Sequence, residues 1–345
     1  MDSQRDVIGI DLNRVSAWLD TNVNAFAGPY DFDLIAGGRS NLTYRVTSSS
    51  GRSLALRRPP TGHILPTAPD MVREHTLLLA LERGGVPAPR VHGICTDTSV
   101  NEHPFYVMDF VEGIILRDEA GAMAQSAELR AASGAHLAQT LAQLHRVVPA
   151  DVGLSEFAKT ENYVARQLKR WSSQYEQMKC DTVNDGLVER VAARLGESIP
   201  EQQAGTIVHG DYRLSNTVID NQGAVKAILD WEICTLGDPL ADVGMMLIYW
   251  PEPGDALRAL TDESPSAAPG FATRDELLAA YAAVSPFDLS AISYYRAFAY
   301  WRLACILQGV YFRQRGGAGG GNRDSVDHFP SHIALLTEAA AELLD

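Results

Sequence analysis

Residues 209–216 read His-Gly-Asp-Tyr-Arg-Leu-Ser-Asn, and residues 225–232 read Val-Lys-Ala-Ile-Leu-Asp-Trp-Glu. Together they hold an Asp (Asp211), an Asn five residues later (Asn216) and a second Asp fourteen beyond that (Asp230). Phosphoryl transfer from a nucleotide needs this set of groups. One carboxylate, Asp211, orients an acceptor hydroxyl and takes its proton. An amide oxygen from Asn216 and a second carboxylate from Asp230 hold the Mg²⁺ that bridges the phosphates. An alcohol is too weak an acid to ionise first, so the base chiefly orients the nucleophile and accepts the proton late. Singly, each residue reads as a turn cap or a strand end; together, at these spacings, they point to chemistry. His209 has no second His at ligand spacing and is expected to orient the loop by a hydrogen bond. Arg213, inside the loop, suits a phosphate, an acceptor carboxylate or solvent equally.

Several elements must position these groups. Thr217 to Asp220 reads as a short strand, Asn221-Gln222-Gly223 as a turn and Ala224 to Leu229 as a second strand, a hairpin leading from Asn216 to Asp230. Upstream, apolar spacing predicts a helix over 11–27 and strands over 31–35, 43–47 and 54–58. A helix over 70–83 and a strand over 105–110 follow. Later residues read as mainly helical, over 127–145, 161–178, 183–195, 239–250, 274–284, 289–313 and 332–344. Between the first two strands, Gly37, Gly38, Ser40 and Asn41 form a stretch where glycines let the backbone approach phosphates and the polar side chains donate to them. The run Gly316 to Gly321 lacks the lysine of a phosphate loop and reads as a flexible connection.

At 345 residues the chain can bury a substantial core. With 29 basic and 43 acidic residues its net charge is −14, which argues against nucleic acid as a partner and suits a cationic acceptor or plain solubility. Neither a signal peptide nor a membrane span is expected. Four well-separated cysteines, Cys95, Cys180, Cys234 and Cys305, predict buried thiols in a reducing cytoplasm.

The run His209-Gly210-Asp211 to Asn216, then Leu229-Asp230-Trp231-Glu232 and Gly237-Asp238-Pro239-Leu240-Ala241-Asp242, resembles the aminoglycoside phosphotransferase family, which includes choline and homoserine kinase relatives. The likeness runs from about Gly37 to Arg315. It is nearest to the branch fused to some acyl-CoA dehydrogenases. The resemblance implies an α+β, two-lobed protein-kinase-like fold. A β-rich nucleotide lobe would span 1–111 and a mainly helical lobe 112–345, the latter carrying the catalytic loop and acceptor site. It implies ATP and Mg²⁺ as cofactors. It places a nucleotide-positioning loop at 37–41 and a phosphate-binding cation at Arg57, where the wider family mostly has Lys, with Arg58 as competitor. Glu74 would be the cation's partner. The Asp109 carbonyl and Val111 amide would meet adenine, and Asp242 would brace the catalytic loop from behind.

The acceptor is the least legible part. Arg302 and Arg313, in the helix over 289–313, would suit an anionic acceptor such as a CoA ester, and Arg213 is a third candidate. The expected function is ATP- and Mg²⁺-dependent phosphorylation of a hydroxyl on a small molecule. A hydroxyacyl-CoA or related metabolite is the rival acceptor, and a nucleotide-binding module without turnover is the rival class. A protein-kinase role fits less well, because no Asp-Phe-Gly or Ala-Pro-Glu signature is present. Oligomeric state is not legible.

Overall fold

The computed structural model describes residues 7–37, 41–61, 70–179, 186–252, 255, 264–315 and 328–345. The chain divides into two compact units. The first comprises Met1–Gly113 together with Lys226–Glu232, and the second comprises Ile114–Val225 and Ile233–Asp345. The sequence predicts a boundary at 111, with 226–232 in the second unit. The structure packs this short segment, with Asp230, into the first.

In the first unit, helix α1 (Leu12–Asn22) precedes strands β1 (Asp31–Gly37), β2 (Leu42–Thr47) and β3 (Ser53–Arg58). Helix α2 (Met71–Arg83) and strands β4 (Val91–Cys95) and β5 (Phe105–Asp109) follow. The five strands form one antiparallel sheet in the order β1-β2-β3-β5-β4. Alternation along the strands sends Tyr44, Val46, Leu54, Leu56, Phe105 and Val107 to one face. There they pack with Val15, Leu19, Val23 and Phe26. Helix α1 is shorter than expected from periodicity. Val23 already has extended dihedrals, and Ala25 turns left-handed at φ 55° ahead of Gly28-Pro29. Strand β4 was not anticipated. Four of its five residues are only half-buried and its register slips between Val91 and Gly93, so no clean alternation marks it. Helix α2 starts on Asp70, whose carboxylate accepts from the Val72 and Arg73 amides, an N-cap.

The second unit begins with the short α3 (Glu119–Met123) and the long α4 (Ala127–Arg146), then α5 (Tyr163–Gln177) and α6 (Leu187–Glu197). Strand β6 (Thr206–Val208) runs directly into His209, and β7 (Thr217–Ile219) leaves the loop. Asp220 closes the next turn, its side chain accepting from the Gln222 and Ala224 amides. Strand β8 (Val225–Ile228) carries the chain across to the first unit. On return, β9 (Thr235–Gly237) pairs antiparallel with β6 and leads into α7 (Pro239–Ile248). Helices α8 (Arg274–Ala282), α9 (Ile292–Arg315) and α10 (Phe329–Glu342) complete it. Every residue of α7 is buried, as its apolar circumference requires. It meets α9 closely at Gly244, where a Cβ would lie 2.5 Å from the Tyr295 carbonyl oxygen. The pair β6 and β9 was missed because three-residue strands carry no readable period.

Among the described residues no helix is long and apolar enough to cross a membrane. Cys95, Cys234 and Cys305 are buried free thiols. Cys180, residues 183–185 of the expected helix and the Gly316–Gly321 run lie outside the described residues.

Candidate active site

In the first unit a charge cluster is built by sheet register. Thr43 pairs with Arg57, and Arg57 with Tyr106, so the three lie in one row across β2, β3 and β5. Arg57 Nε donates to Glu74 Oε2 at 3.1 Å, and its Nη2 reaches Asp230 Oδ1 at 3.1 Å and Glu232 Oε2 at 3.5 Å. Tyr106 Oη donates to Glu74 Oε2 at 2.9 Å. Arg58 points to the opposite face. It is wholly buried and donates to the Pro59 and Gly9 carbonyls, which separates the two candidates. Burial alone would lower the Arg57 pKa. Tyr106, Glu74, Asp230 and Glu232 reverse that and hold the guanidinium firmly charged. Burial raises the Glu74 pKa, partly offset by Arg57 and Tyr106. Asp230 sits at φ 61°, a left-handed backbone that a carboxamide or short carboxylate side chain tolerates better than most.

Asn41 Nδ2 donates to Glu232 Oε2 at 3.1 Å, whereas the sequence reading aimed it at phosphates. The residue immediately precedes β2, two positions before Thr43, and this bond already engages its side-chain N–H. Gly37 ends β1 opposite Leu42, while Gly38 and Ser40 lie outside the described residues. Asp109 ends β5. Its amide donates to the Arg90 carbonyl at 2.8 Å, and its carboxylate meets His92 Nε2 at 2.6 Å. Val111 lies just beyond, half-buried in irregular backbone.

In the second unit the loop after β6 is held mainly by its backbone. Asp242, fully buried in α7, accepts from the His209 amide at 2.6 Å and the Gly210 amide at 2.7 Å. His145, near the end of α4, brings Nε2 to 3.4 Å from Asp242 Oδ2, and Tyr281 lies 2.8 Å from His145 Nδ1. Burial pushes the Asp242 carboxyl upward. His145, His209 and the Gly210 amide outweigh it and leave the group below the usual carboxylate range. Asp238 caps α7 by accepting from the Leu240 amide, and takes the Tyr295 hydroxyl at 2.6 Å. His209 Nδ1 accepts from the Asp211 amide at 3.2 Å.

Within the loop, Asn216 Nδ2 donates to both the carbonyl and the Oδ2 of Asp211, each at 2.9 Å. Both N–H groups of the Asn216 amide are thereby spent, so its oxygen is the polar atom of the side chain that a cation could use. Arg213 Nε lies 3.3 Å from Asp211 Oδ2 in an ion pair, with its guanidinium 4.9 Å from the centre of the Tyr249 ring. Among the described residues no three His, Cys, Asp or Glu side chains converge as a metal cage. One or two protein oxygens completed by phosphates and water is the Mg²⁺ pattern, and each unit offers an oxygen of that type, Asp230 in the first and Asn216 in the second.

The expected acceptor arginines are not brought together. Arg302 is 6% exposed and donates to the Gly210 carbonyl at 3.1 Å, so it supports the loop instead of lining an acceptor pocket. Arg313, eleven residues further along α9 and so about 16 Å away by helical rise, is exposed. The roles of His145, Tyr281 and Glu232 were not foreseen. The available signal for His145 was its place on the apolar stripe of α4, beside Leu141 and Leu144.

The sequence profile of the phosphotransferase enzyme family matches residues 31–287. The chain belongs to the phosphotransferase enzyme family. This phosphotransferase is 34% identical over 322 residues to acyl-CoA dehydrogenase family member 10 of Mus musculus, covering 92% of this chain and 29% of that protein. The chain spans 29 to 45% of the length of the curated relatives it matches. A crystal structure from Ralstonia eutropha JMP134, provisionally assigned as an aminoglycoside phosphotransferase, superposes with a TM-score of 0.80 at 28% identity. It covers 96% of this chain and 98% of that one. The GDP complex of aminoglycoside 2'-phosphotransferase-IIIa has a TM-score of 0.62 at 15% identity, covering 96% and 98%, a likeness of fold. The fold is protein-kinase-like, α+β, as the sequence resemblance implied.

Proposed function

We propose that this phosphotransferase moves the γ-phosphoryl group of ATP to a hydroxyl on a small molecule, with Mg²⁺. The observation that carries the reading is the Asp211–Asn216 contact, which fixes a carboxylate in a loop braced through its own backbone. Asp211 orients the acceptor hydroxyl and takes its proton. Asn216, through its amide oxygen, and Asp230 are the Mg²⁺ ligands. Mg²⁺, when bound, neutralises the phosphate charge that develops during transfer. Arg57, kept charged and aimed by Glu74, serves the phosphates. Of the 37–41 stretch, Gly37 and Asn41 are described and serve the nucleotide side, Gly38 and Ser40 lying outside the described residues, and Asp109 and Val111 offer main-chain groups to the base. His209 and Asp242 hold the loop. The GDP bound to the aminoglycoside 2'-phosphotransferase-IIIa relative supports nucleotide binding by this fold and leaves ATP against GTP to experiment.

For the acceptor, likeness to acyl-CoA dehydrogenase family members favours a hydroxyacyl-CoA or related metabolite as a second candidate class. With Arg302 withdrawn from the acceptor side, that candidate rests on the relatives and on Arg213. The test is transfer from Mg·ATP to a panel of aminoglycosides, macrolides, choline-like alcohols and hydroxyacyl-CoA esters. Asp211→Ala should lower transfer about 10²–10⁴-fold while calorimetry finds Mg·ATP affinity retained. Loss of nucleotide binding in that variant would sink the assignment of Asp211 as base.

A further inference from the structure

The peptide group joining Gly210 to Asp211 is held at both ends. Its carbonyl oxygen accepts from Arg302 Nη2 at 3.1 Å, and its N–H, that of Asp211, donates to His209 Nδ1 at 3.2 Å. The preceding peptide group has its N–H fixed by Asp242 at 2.7 Å. An anion from α7 and a cation from α9 therefore act on consecutive peptide planes, across a glycine at φ 88°. These planes determine where the Asp211 Cα stands.

Arg302 is poorly placed for any other task. Its guanidinium is buried, lies 5.7 Å from the centre of the Trp171 ring, and its Nε has no acceptor among the described residues. A buried cation with an unused donor is costly, and an apolar residue would fill the space at lower cost. What the guanidinium alone supplies is a charged donor to a carbonyl whose other face leads into Asp211. We propose that Arg302 is a positioning residue for the loop. It locks the Gly210–Asp211 peptide plane and so sets the direction in which the Asp211 side chain leaves the backbone. The kinetic consequence rests on Asp211 acting as base. The structural consequence does not.

The experiment is backbone amide hydrogen exchange on the full nucleotide-free chain, comparing wild type, Arg302→Met and Arg302→Lys, with α4 and α10 as internal references. In Arg302→Met, exchange at Gly210 and Asp211 should quicken by about tenfold more than in the reference helices, equivalent to ~1.4 kcal/mol of local opening. Arg302→Lys, which keeps a cation but not the planar fork, should recover part of the protection. Should Arg302→Met fail to fold, Trp171→Leu removes the ring under the guanidinium and should quicken the same two amides to a smaller extent. Unchanged exchange at Gly210 and Asp211, or the same acceleration in loop and reference helices, would overturn the proposal and leave Arg302 a packing residue. A chain that transfers phosphate to no acceptor would count against the proposed function and leave the exchange result standing.

Discussion

Arg57 in the first unit and Asp242 in the second are each the hub of a charge cluster, and they are built differently. Around Arg57 every hydrogen-bond partner among the described residues is a side chain. Three carboxylates, Glu74, Asp230 and Glu232, crowd one guanidinium, leaving negative charge in excess when all are ionised. Around Asp242 the shortest contacts are backbone amides, and one histidine completes them. Side-chain contacts can be exchanged by rotamer changes when a cation arrives, with no cost to the main chain. Contacts that end on backbone N–H groups cannot be exchanged without moving the loop. The first cluster suits a place where ligands bind, and the second suits a place that must stay still.

The largest effect should come from breaking the still cluster. Asp242→Ala strips two buried amides of their acceptor and leaves His145 facing a void, so denaturant unfolding should show a loss of about 3–5 kcal/mol. A loss below ~1 kcal/mol would mean that the backbone hub does not carry the loop.

Acid titration of stability separates the two hubs by sign. The Asp242 carboxyl is lowered from its ordinary 3.8, so its contribution is present above that value and is lost as pH falls below it. The Glu74 carboxyl is raised from 4.5, so its burial grows more costly as pH rises from there through its folded value. The stability gap between wild type and Asp242→Asn should therefore narrow as pH falls below 3.8. Glu74→Gln should gain on wild type as pH rises above 4.5. If both gaps moved in the same direction with pH, the contrast between the clusters would fail. The smallest effect belongs to Arg313→Ala. Exposed on α9, it should change stability by no more than ~0.5 kcal/mol in the same unfolding measurement.

The motif residues stand out as candidates in the sequence because their spacing is tied to chemistry. Arg57 could be named because β3 is a regular strand, but Arg57 and Arg58 could be told apart only once Gly9 was seen to occupy Arg58. Asp242 was legible as a brace, whereas His145 and Tyr281, 97 and 39 residues from it in sequence, were not, since no local pattern links three helices. Arg302 was misread for the same reason. Its residue type suggested an anionic ligand, and only the fold shows that a carbonyl of its own chain is the acceptor. Strand β4 and the pair β6 and β9 were hidden by half-burial and shortness.

The left-handed backbone at Asp230 narrows what evolution or an engineer can place there. Beyond the charge a residue carries, the position screens for its shape next to the main chain, at about 1–2 kcal/mol for an ordinary side chain. Glycine, asparagine and aspartate pass that screen and glutamate does not, although glutamate has the same functional group. Among these three only aspartate brings a charged oxygen, so the turn itself reduces the alphabet at this position to one letter wherever a negative charge is required.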